Sequence, residues 1–292
     1  MVLHNDSISE EIVSNVSYES FYLMDCFIIF LGFMHICRKH GQALVSMILT
    51  LGDSRTGLVR KVNEDAINLD VENVYILADG MGGYEGGQIA STLAVESAGN
   101  FLERLEPAEL SESNLKESIL LANQAILDRK QDDDQFLSMG TTMIAASVIG
   151  DTLNWAHVGD SRLYVWHDNI LKQITTDHSF VMELVNEGKI SREDMRFHPR
   201  KNEITRAVGI EKSLTVDTGH FKLDNDSLVL LCSDGLTGMI DDNVIRSVIA
   251  DNPRRTQDDL KKLDKDLMEK AYDAGAKDNV SLILVQFTET LE

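Results

Sequence analysis

The 292-residue chain contains few cysteines, few prolines and no internal repeat. Its cysteines, Cys26, Cys37 and Cys232, are too few and too scattered for a disulfide framework, and no two have the spacing of a zinc knuckle. This usage favours a reducing, intracellular setting, so we expect a cytoplasmic protein. With only three prolines and no low-complexity tract, the body of the chain shows no long linker.

Basic side chains are also scarce: 27 Lys and Arg stand against 48 Asp and Glu, a formal net charge of −21. A field of that sign repels nucleic-acid phosphates and anionic lipid, which argues against both as general partners. Two interpretations of the acidity remain open. It serves solubility alone, or some of the carboxylates are gathered at a cation site.

Long apolar runs are rare, and one of them, FYLMDCFIIFLGFMHIC at residues 21–37, lies near the N-terminus. It is at the short end of what spans a bilayer, and Asp25 and His35 make it costly there. Residues 1–46 are therefore interpreted as an N-terminal extension, and 47–292 as the domain proper. Three alternatives stay open for the extension: a weak membrane anchor, a helix packed on the domain, or upstream sequence added by a start codon set too early. The last is favoured over membrane contact.

Beyond about residue 50 the pattern is that of an α+β domain. Short apolar, β-rich runs predict strands, and 3.6-residue spacing predicts helices that Ser111 and Thr256 could cap. Tight turns between successive strands favour antiparallel sheets flanked by helices. The predicted strands are 74–78, 143–149, 153–158, 162–166, 228–232 and 280–287, and the predicted helices are 88–105, 115–130 and 257–273.

Two apolar runs end abruptly in Asp-Gly: YILADGMGG at 75–83 and VLLCSDGLTG at 229–238. A buried strand that ends in an aspartate places a carboxylate at the rim of a sheet, and the glycine lets the backbone turn. A third aspartate, Asp278, precedes the last predicted strand. Three carboxylates and a carbonyl suit Mg²⁺ or Mn²⁺, which prefer oxygen ligands. Alternatively, Asp-Gly after a strand is only a turn signal.

The segment GLVRKVNED at 57–65 places Arg60 just before Glu64 and Asp65. A guanidinium offers a bidentate fork suited to a phosphoryl group. The same residues are equally consistent with a surface cluster of ion pairs.

Together these segments resemble the metal-dependent PPM family, also called protein phosphatase 2C, and in particular its bacterial branch. The resemblance covers roughly residues 50–288 and rests on eight motifs in the family's order. They are GLVRKVNED, ADGMGG (78–83), MGTT (139–142), AHVGDSRLY (156–164), TTDHS (175–179), HPRKNEITRAVG (198–209), LLCSDGLTGMI (230–240) and AKDNVS (276–281). The fold it implies is a four-layer α-β-β-α sandwich with two mainly antiparallel central sheets.

The resemblance also implies a set of metal ligands. Asp79 would bridge two ions, the carbonyl of Gly80 would complete one of them, and Asp234 and Asp278 would hold the other. Asp160 looks like the residue that, with Asp234, holds the third metal of bacterial members. The implied cofactors are therefore two Mn²⁺ or Mg²⁺ ions, together with the third metal ion of bacterial members.

Three further residues take roles from the same resemblance. Glu64 and Asp65 match the pair that orients metal-bound waters, and Arg60 matches the arginine that grips the substrate phosphate. Met81 departs from animal members, which carry histidine at that place, and it cannot donate a proton. The general acid is therefore open, with a metal-bound water as first candidate.

The implied activity is a protein serine/threonine phosphatase that hydrolyses phosphoserine and phosphothreonine with a water activated between two ions about 3.5–4 Å apart. Its implied partners are phosphorylated proteins, with a bacterial serine/threonine kinase among them, and we expect a monomer. Residues 178–205 match the family's variable flap. His178, His198 and Arg200 in it are surface or hinge residues, or contact substrate.

Two residues and two rival functions complete the sequence-based expectations. Cys232 is expected to be a buried core thiol and His157 a packed core histidine. A phosphatase-like domain that binds partners without catalysis would lack one or more metal carboxylates, and none is missing. A membrane-tethered regulator would act mainly through residues 1–46.

Overall fold

The computed structural model describes residues 26–29, 34–39, 42–83 and 85–291. The strands in these ranges are β1 (Cys26–Ile29), β2 (Met34–Lys39), β3 (Gln42–Arg55), β4 (Asp65–Asn68), β5 (Val74–Met81), β6 (Gly140–Thr141), β7 (Met143–Ile149), β8 (Thr152–Val158), β9 (Arg162–His167), β10 (Ile170–Gln173), β11 (Asp217–Lys222), β12 (Ser227–Cys232) and β13 (Val280–Leu291). The α-helices are α1 (Gly86–Leu102), α2 (Glu112–Asp132), α3 (Phe180–Asn186), α4 (Asp234–Thr237), α5 (Asp242–Asp251) and α6 (Gln257–Asp273).

The described strands form two sheets. One has the order β1-β2-β3-β13-β12-β9-β10, and the other has the order β11-β8-β7-β5-β4 with the short β6 beside β5. Every pairing within them is antiparallel. The predicted antiparallel architecture is therefore confirmed.

The alternation of side chains along the strands explains the layers. In β5, Val74 and Ile76 pack against α1 and α2, whereas Tyr75 and Leu77 face the other sheet. In β13, Leu282 and Leu284 belong to a core with α5 and α6, whereas Ile283 and Val285 belong to the core between the sheets. The central strands β5 and β13 are thus buried on both faces, and the result is the expected α-β-β-α sandwich.

Helix starts follow the capping chemistry only in part. Thr256 caps α6 as predicted: its hydroxyl accepts from the Asp259 amide at 3.2 Å, and the Asp259 carboxylate accepts from the Thr256 amide at 3.0 Å. Ser111 occupies the position before α2, but its side chain makes no capping hydrogen bond. The helix start was predicted correctly and the cap was not.

All six predicted strands and all three predicted helices are present, with ends shifted by a few residues. Sequence patterns missed β1 to β4, β6, β10, β11 and the short helices α4 and α5. Most of these missed strands are short or half-buried, so their apolar pattern is weak.

The N-terminal extension differs from one of its three predicted forms. Residues 26–29 and 34–39 are strands rather than a helix, and β3 runs through Met47 without a break. Residues 1–25 and 30–33, which include the rest of the apolar run at 21–37, lie outside the described residues. Among the helices in the described part of the chain, none combines the length and apolar character that crossing a membrane requires.

The predicted flap forms a small layer of its own. Helix α3 and a 3-10 turn at Glu193–Phe197 enclose Val181, Met182 and Met195 in a separate apolar cluster. This cluster is independent of the cores on either side of the two sheets. The flap therefore lies on the sandwich as a separate unit, beside the end of β12 and the start of β9.

Candidate metal centre

The sheet topology brings one end of each sheet to a common place. In the first sheet β12 lies between β9 and β13, so the end of β12 adjoins the starts of both neighbours. Asp234 follows β12, Asp278 precedes β13, and Asp160 precedes β9. In the second sheet Asp79 of β5 lies directly opposite Asp65 of β4. The Asp-Gly turns and the other predicted acidic residues therefore meet at one rim.

A hydrogen bond joins the two sheets at this rim. The Ser281 hydroxyl of β13 donates to the Asp65 carboxylate at 2.6 Å, and the Ser281 amide donates to the Ser233 hydroxyl at 3.1 Å. Sequence reasoning gave no role to either serine. They tie Asp65, from the second sheet, to the turn that carries Asp234 in the first.

The electrostatics show that the aspartates interact. Burial first, and then the negative charges of Asp65, Asp234, Asp160 and Asp278, raise the pKa of Asp79 well above its ordinary value. Burial and the charge of Asp278 raise the pKa of Asp234 to about 6. Burial likewise raises the pKa of Asp65 to about 6, against hydrogen bonds that lower it. These carboxylates are hard to ionise together without a cation.

Asp160 belongs to the same cluster but has its own support. Burial and then the charge of Asp234 raise the pKa of Asp160 well above its ordinary value. Two residues on, Arg162 donates from two nitrogens to Asp177, at 3.0 and 2.7 Å. This pair was not singled out from the sequence, and it fixes the start of β9 next to Asp160.

The donor atoms gathered at the rim suit divalent cations. Within the described ranges, no three acidic, histidine or cysteine side chains form a ready-made ligand cage. Of these carboxylates, Asp278 has a cationic partner, since the Arg60 guanidinium donates to it at 2.7 Å. All the gathered side-chain donors are oxygens, which hard divalent cations prefer, and mutual repulsion is what such cations would relieve. The chemistry therefore fits Mn²⁺ or Mg²⁺.

The backbone that carries Asp79 is held firmly. Its amide donates to the Thr142 hydroxyl at 3.0 Å, and its carbonyl accepts from the Thr141 hydroxyl and the Thr142 amide, both at 2.8 Å. This gives the MGTT motif a physical role that its sequence did not reveal. Neighbouring Gly80 is required by space, since a Cβ there would collide with the carbonyl oxygens of Gly87 and Glu64.

Asn279 positions the segment that contains Arg60, Glu64 and Asp65. It is 2% exposed; its side-chain oxygen accepts from the Glu64 amide at 3.0 Å, and its side-chain nitrogen donates to the Val62 carbonyl at 3.0 Å. The signal was present in the AKDNVS motif, but only the aspartate of that motif was interpreted.

Arg60 lies at the mouth of the centre, with its side chain 44% exposed. Besides Asp278 it lies 3.5 Å from the Glu64 carboxylate, so the predicted cluster of ion pairs is present. Its hydrogen bond to Asp278 and the nearby negative charges raise the pKa of Arg60, despite partial burial. Burial raises the pKa of Glu64, which is 15% exposed.

The flap is anchored to the turn before Asp160 through His178. This histidine is buried; its Nδ1 accepts from the Gly159 amide at 3.0 Å, and its own amide donates to the Gly159 carbonyl at 2.8 Å. On its other side lie Asp217 and Arg206, at 3.1 and 3.0 Å from Nε2. Of the alternatives given for His178, a surface position is wrong.

Other residues singled out from the sequence are placed as follows. His157 is fully buried and stacks on His178 with ring centroids 4.8 Å apart, as expected for a core histidine. Burial lowers the pKa of His157 to about 3. Cys232 is fully buried, and burial raises the pKa of its thiol, so it is a core thiol as predicted. Arg200 is half-exposed, pairs with Glu203 and covers the Phe180 ring, which fits a structural role in the flap.

Comparisons with known proteins agree with this geometry. The family profile of protein phosphatase 2C matches residues 58–273. The chain is 36% identical over 237 residues to the serine/threonine phosphatase stp of Listeria monocytogenes, which covers 79% of this chain and 92% of the relative.

Solved structures show the same likeness. The serine/threonine phosphatase PstP/Ppp of Mycobacterium tuberculosis superposes with a TM-score of 0.75 at 30% identity, covering 82% of this chain and 98% of that one. The catalytic domain of PstP in complex with two manganese ions superposes with a TM-score of 0.74 at 29% identity, covering 83% and 99%.

Proposed function

The chain belongs to the protein phosphatase 2C family and is a metal-dependent serine/threonine phosphatase, and we propose that its centre is the carboxylate cluster at the common rim of the two sheets. Asp79 and the Gly80 carbonyl would hold one ion, and Asp79, Asp234 and Asp278 a second. Asp160 with Asp234 would hold a third. We propose Mn²⁺ or Mg²⁺ for these sites.

One observation carries this assignment. Burial raises the pKa of Asp79 well above its ordinary value, and the negative charges of four nearby carboxylates raise it further. A folded protein rarely gathers unpaired carboxylates in this way for stability, because their repulsion opposes folding. Neutralisation by divalent cations removes the conflict, and the rigid hold of Thr141 and Thr142 on the Asp79 backbone keeps the oxygens in place for it.

The bound ions would supply Lewis-acid stabilisation and an activated water, so no side-chain nucleophile is required. Arg60 would bind the phosphoryl oxygens with its bidentate fork. Arg60 now donates a hydrogen bond to Asp278. A bound cation would replace Arg60 as the partner of Asp278, and a bound phosphate would replace Asp278 as the partner of Arg60. Glu64 and Asp65 would orient water next to Asp79. Met81, at the rim, cannot carry a proton to the leaving oxygen.

We further propose phosphorylated proteins as substrates, among them a serine/threonine kinase that this phosphatase resets, with the enzyme acting as a cytoplasmic monomer. Residues 47–292 would form the catalytic domain, with the flap at about 178–205. Residues 1–46 would be dispensable for the chemistry, since Arg60 and every proposed ligand lie beyond them.

The decisive experiment is hydrolysis of a phosphothreonine peptide by the full chain in manganese and in excess chelator. We expect turnover with manganese, loss of turnover with chelator, and its return when manganese is added back. A folded protein that binds manganese yet releases no phosphate from any phosphopeptide would instead support the rival, a phosphatase-like domain that only binds partners.

A further inference from the structure

The carboxylate cluster opens on one side into a small cavity beneath the flap. Its volume is about 80 Å³, room for a few water molecules or one small side-chain group. Asp160 and Asp234 line it from the sandwich, while Arg196, Lys201 and Asn202 line it from the flap. The cavity therefore connects the proposed metal centre with three polar side chains of the flap that the chemistry above leaves unused.

Arg196 and Lys201 differ from Arg200 and Lys189 of the flap in their pairing. Arg200 pairs with Glu203, and Lys189 pairs with Glu187. Within the described residues, Arg196 and Lys201 have no carboxylate partner. Arg196 donates only to the Ile240 carbonyl, at 3.3 Å, which ties the flap to the loop after α4. Two cations without a carboxylate partner therefore line one cavity of a chain whose net charge is −21.

Other polar groups at the cavity are already engaged. Arg162 is held in a bidentate pair by Asp177, and the Ser179 hydroxyl accepts from the Met182 amide as the cap of α3. The charged donors left at the flap side are the Arg196 guanidinium and the Lys201 ammonium group, with the Asn202 amide and the Ser179 hydroxyl as neutral donors beside them. Such groups recognise anionic oxygens.

We propose that this cavity is a substrate subsite that binds an anionic side chain of the phosphoprotein, a carboxylate or a second phosphate a few residues from the phosphate that is hydrolysed. The inference rests on the proposed function, because Asp160 and Asp234 repel an anion unless bound cations neutralise them. A peptide whose phosphate lies at Arg60 and Asp79 would pass Asp234 to enter the cavity. The enzyme would therefore prefer phosphosites with acidic neighbours.

The overall negative field of the protein makes this expectation specific. A chain with 48 acidic and 27 basic side chains repels acidic peptides at long range, so a general electrostatic effect would favour basic neighbours. A preference for acidic neighbours must come from a local cationic site. Because Lys201 is exposed, the preference should also weaken as salt is raised.

The test uses phosphothreonine peptides that carry Glu, phosphothreonine, Ala or Lys at each flanking position, with kcat/KM measured in manganese. For the full chain we expect Glu to exceed Ala about fivefold at one position, the size of one or two partly exposed ion pairs, with phosphothreonine higher still. In Lys201→Ala the Glu-to-Ala ratio should fall to about two, because Arg196 remains, and in Lys201→Glu the preference for Glu should disappear. Lys189→Ala, a matched loss of one flap cation that does not line the cavity, should keep the fivefold ratio.

The outcomes separate this proposal from the function on which it rests. If neither the peptides nor p-nitrophenyl phosphate are hydrolysed, the proposed function fails. If all peptides are hydrolysed at equal rates whatever their flanking residues, the phosphatase stands and the subsite is refuted. A preference for Glu that survives Lys201→Glu would also refute it, because the anion would then bind elsewhere.

Discussion

Replacing Asp234 by asparagine should have opposite effects on activity and on the stability of the metal-free protein. Asp234 is half-buried next to Asp79, Asp160 and Asp278, and its pKa is raised from 3.8 to about 6. Between these pH values the folded state keeps a proton that the unfolded state has lost. The stability of the metal-free protein therefore falls as pH rises through this window.

The magnitude follows from the size of that shift. About two pKa units correspond to ~3 kcal/mol of destabilisation at neutral pH. Asparagine has no charge but remains a buried polar group, so we expect Asp234→Asn to recover about 2 kcal/mol. For a chain of this length that is roughly a 4 °C rise in the Tm measured in chelator.

In manganese the order of stability should reverse, so that Asp234→Asn becomes less stable than the unmodified protein. A ligand that binds only the folded state at a concentration about 100-fold above its Kd stabilises by ~2.7 kcal/mol, and Asp234→Asn should lose most of this gain. Activity toward a phosphothreonine peptide should fall ~10²-fold or more, because one carboxylate of the metal centre is gone.

The assay is thermal unfolding of both proteins at neutral pH, in chelator and in manganese, beside the phosphopeptide rate. The matched control is Asp251→Asn, which replaces an exposed carboxylate at the end of α5. It should change neither the Tm nor the phosphopeptide rate. The reasoning is refuted if metal-free Asp234→Asn melts at or below the unmodified protein while keeping the full response to manganese.

Three further outcomes are expected. Arg60→Ala should raise KM for a phosphopeptide with a smaller loss in kcat, since it removes ground-state binding of phosphate; steady-state kinetics showing a kcat loss at unchanged KM would place its role in the transition state alone. His178→Ala should lower both the Tm and the manganese affinity, because the turn before Asp160 loses the hydrogen bond from the Gly159 amide to His178. A titration of activity with manganese measures the affinity. An unchanged affinity would show that this hydrogen bond has only a structural role. A chain beginning at Met47 should be folded and as active per molecule as the full chain, because Ile48 and the rest of the core remain; a Tm several degrees lower would show that the pairing of β3 with the end of β13 belongs to the fold.

The local pattern of the sequence was sufficient for most of the secondary structure. Val74 to Ala78 and Leu228 to Cys232 are continuous apolar runs because both faces of each strand are covered, and such runs are visible without knowledge of the partner strand. The half-buried strand β4 and the exposed β10 carry no comparable signal, since their side chains meet water as often as the core.

The candidate ligands were likewise predictable as residue types at motif positions. Asp79, Asp234 and Asp278 each adjoin an apolar run, which indicates a carboxylate at a strand end. No local pattern could show that these strand ends meet. That depends on the antiparallel order β9-β12-β13 and on the approach of the second sheet.

Only the tertiary structure decided which residues far apart in sequence are in contact. Arg60 and Asp278 are hydrogen-bonded across 218 positions, and Ser281 and Asp65 across 216. Apolar periodicity records which face of an element is buried, and it holds no information on which distant polar group a side chain will meet. The sequence by itself therefore determined most of the long elements and the chemistry of the donors. The packing of two sheets, driven by burial of their apolar faces, decided that the donors form one centre, that His178 is buried under the flap, and that Lys201 faces a cavity.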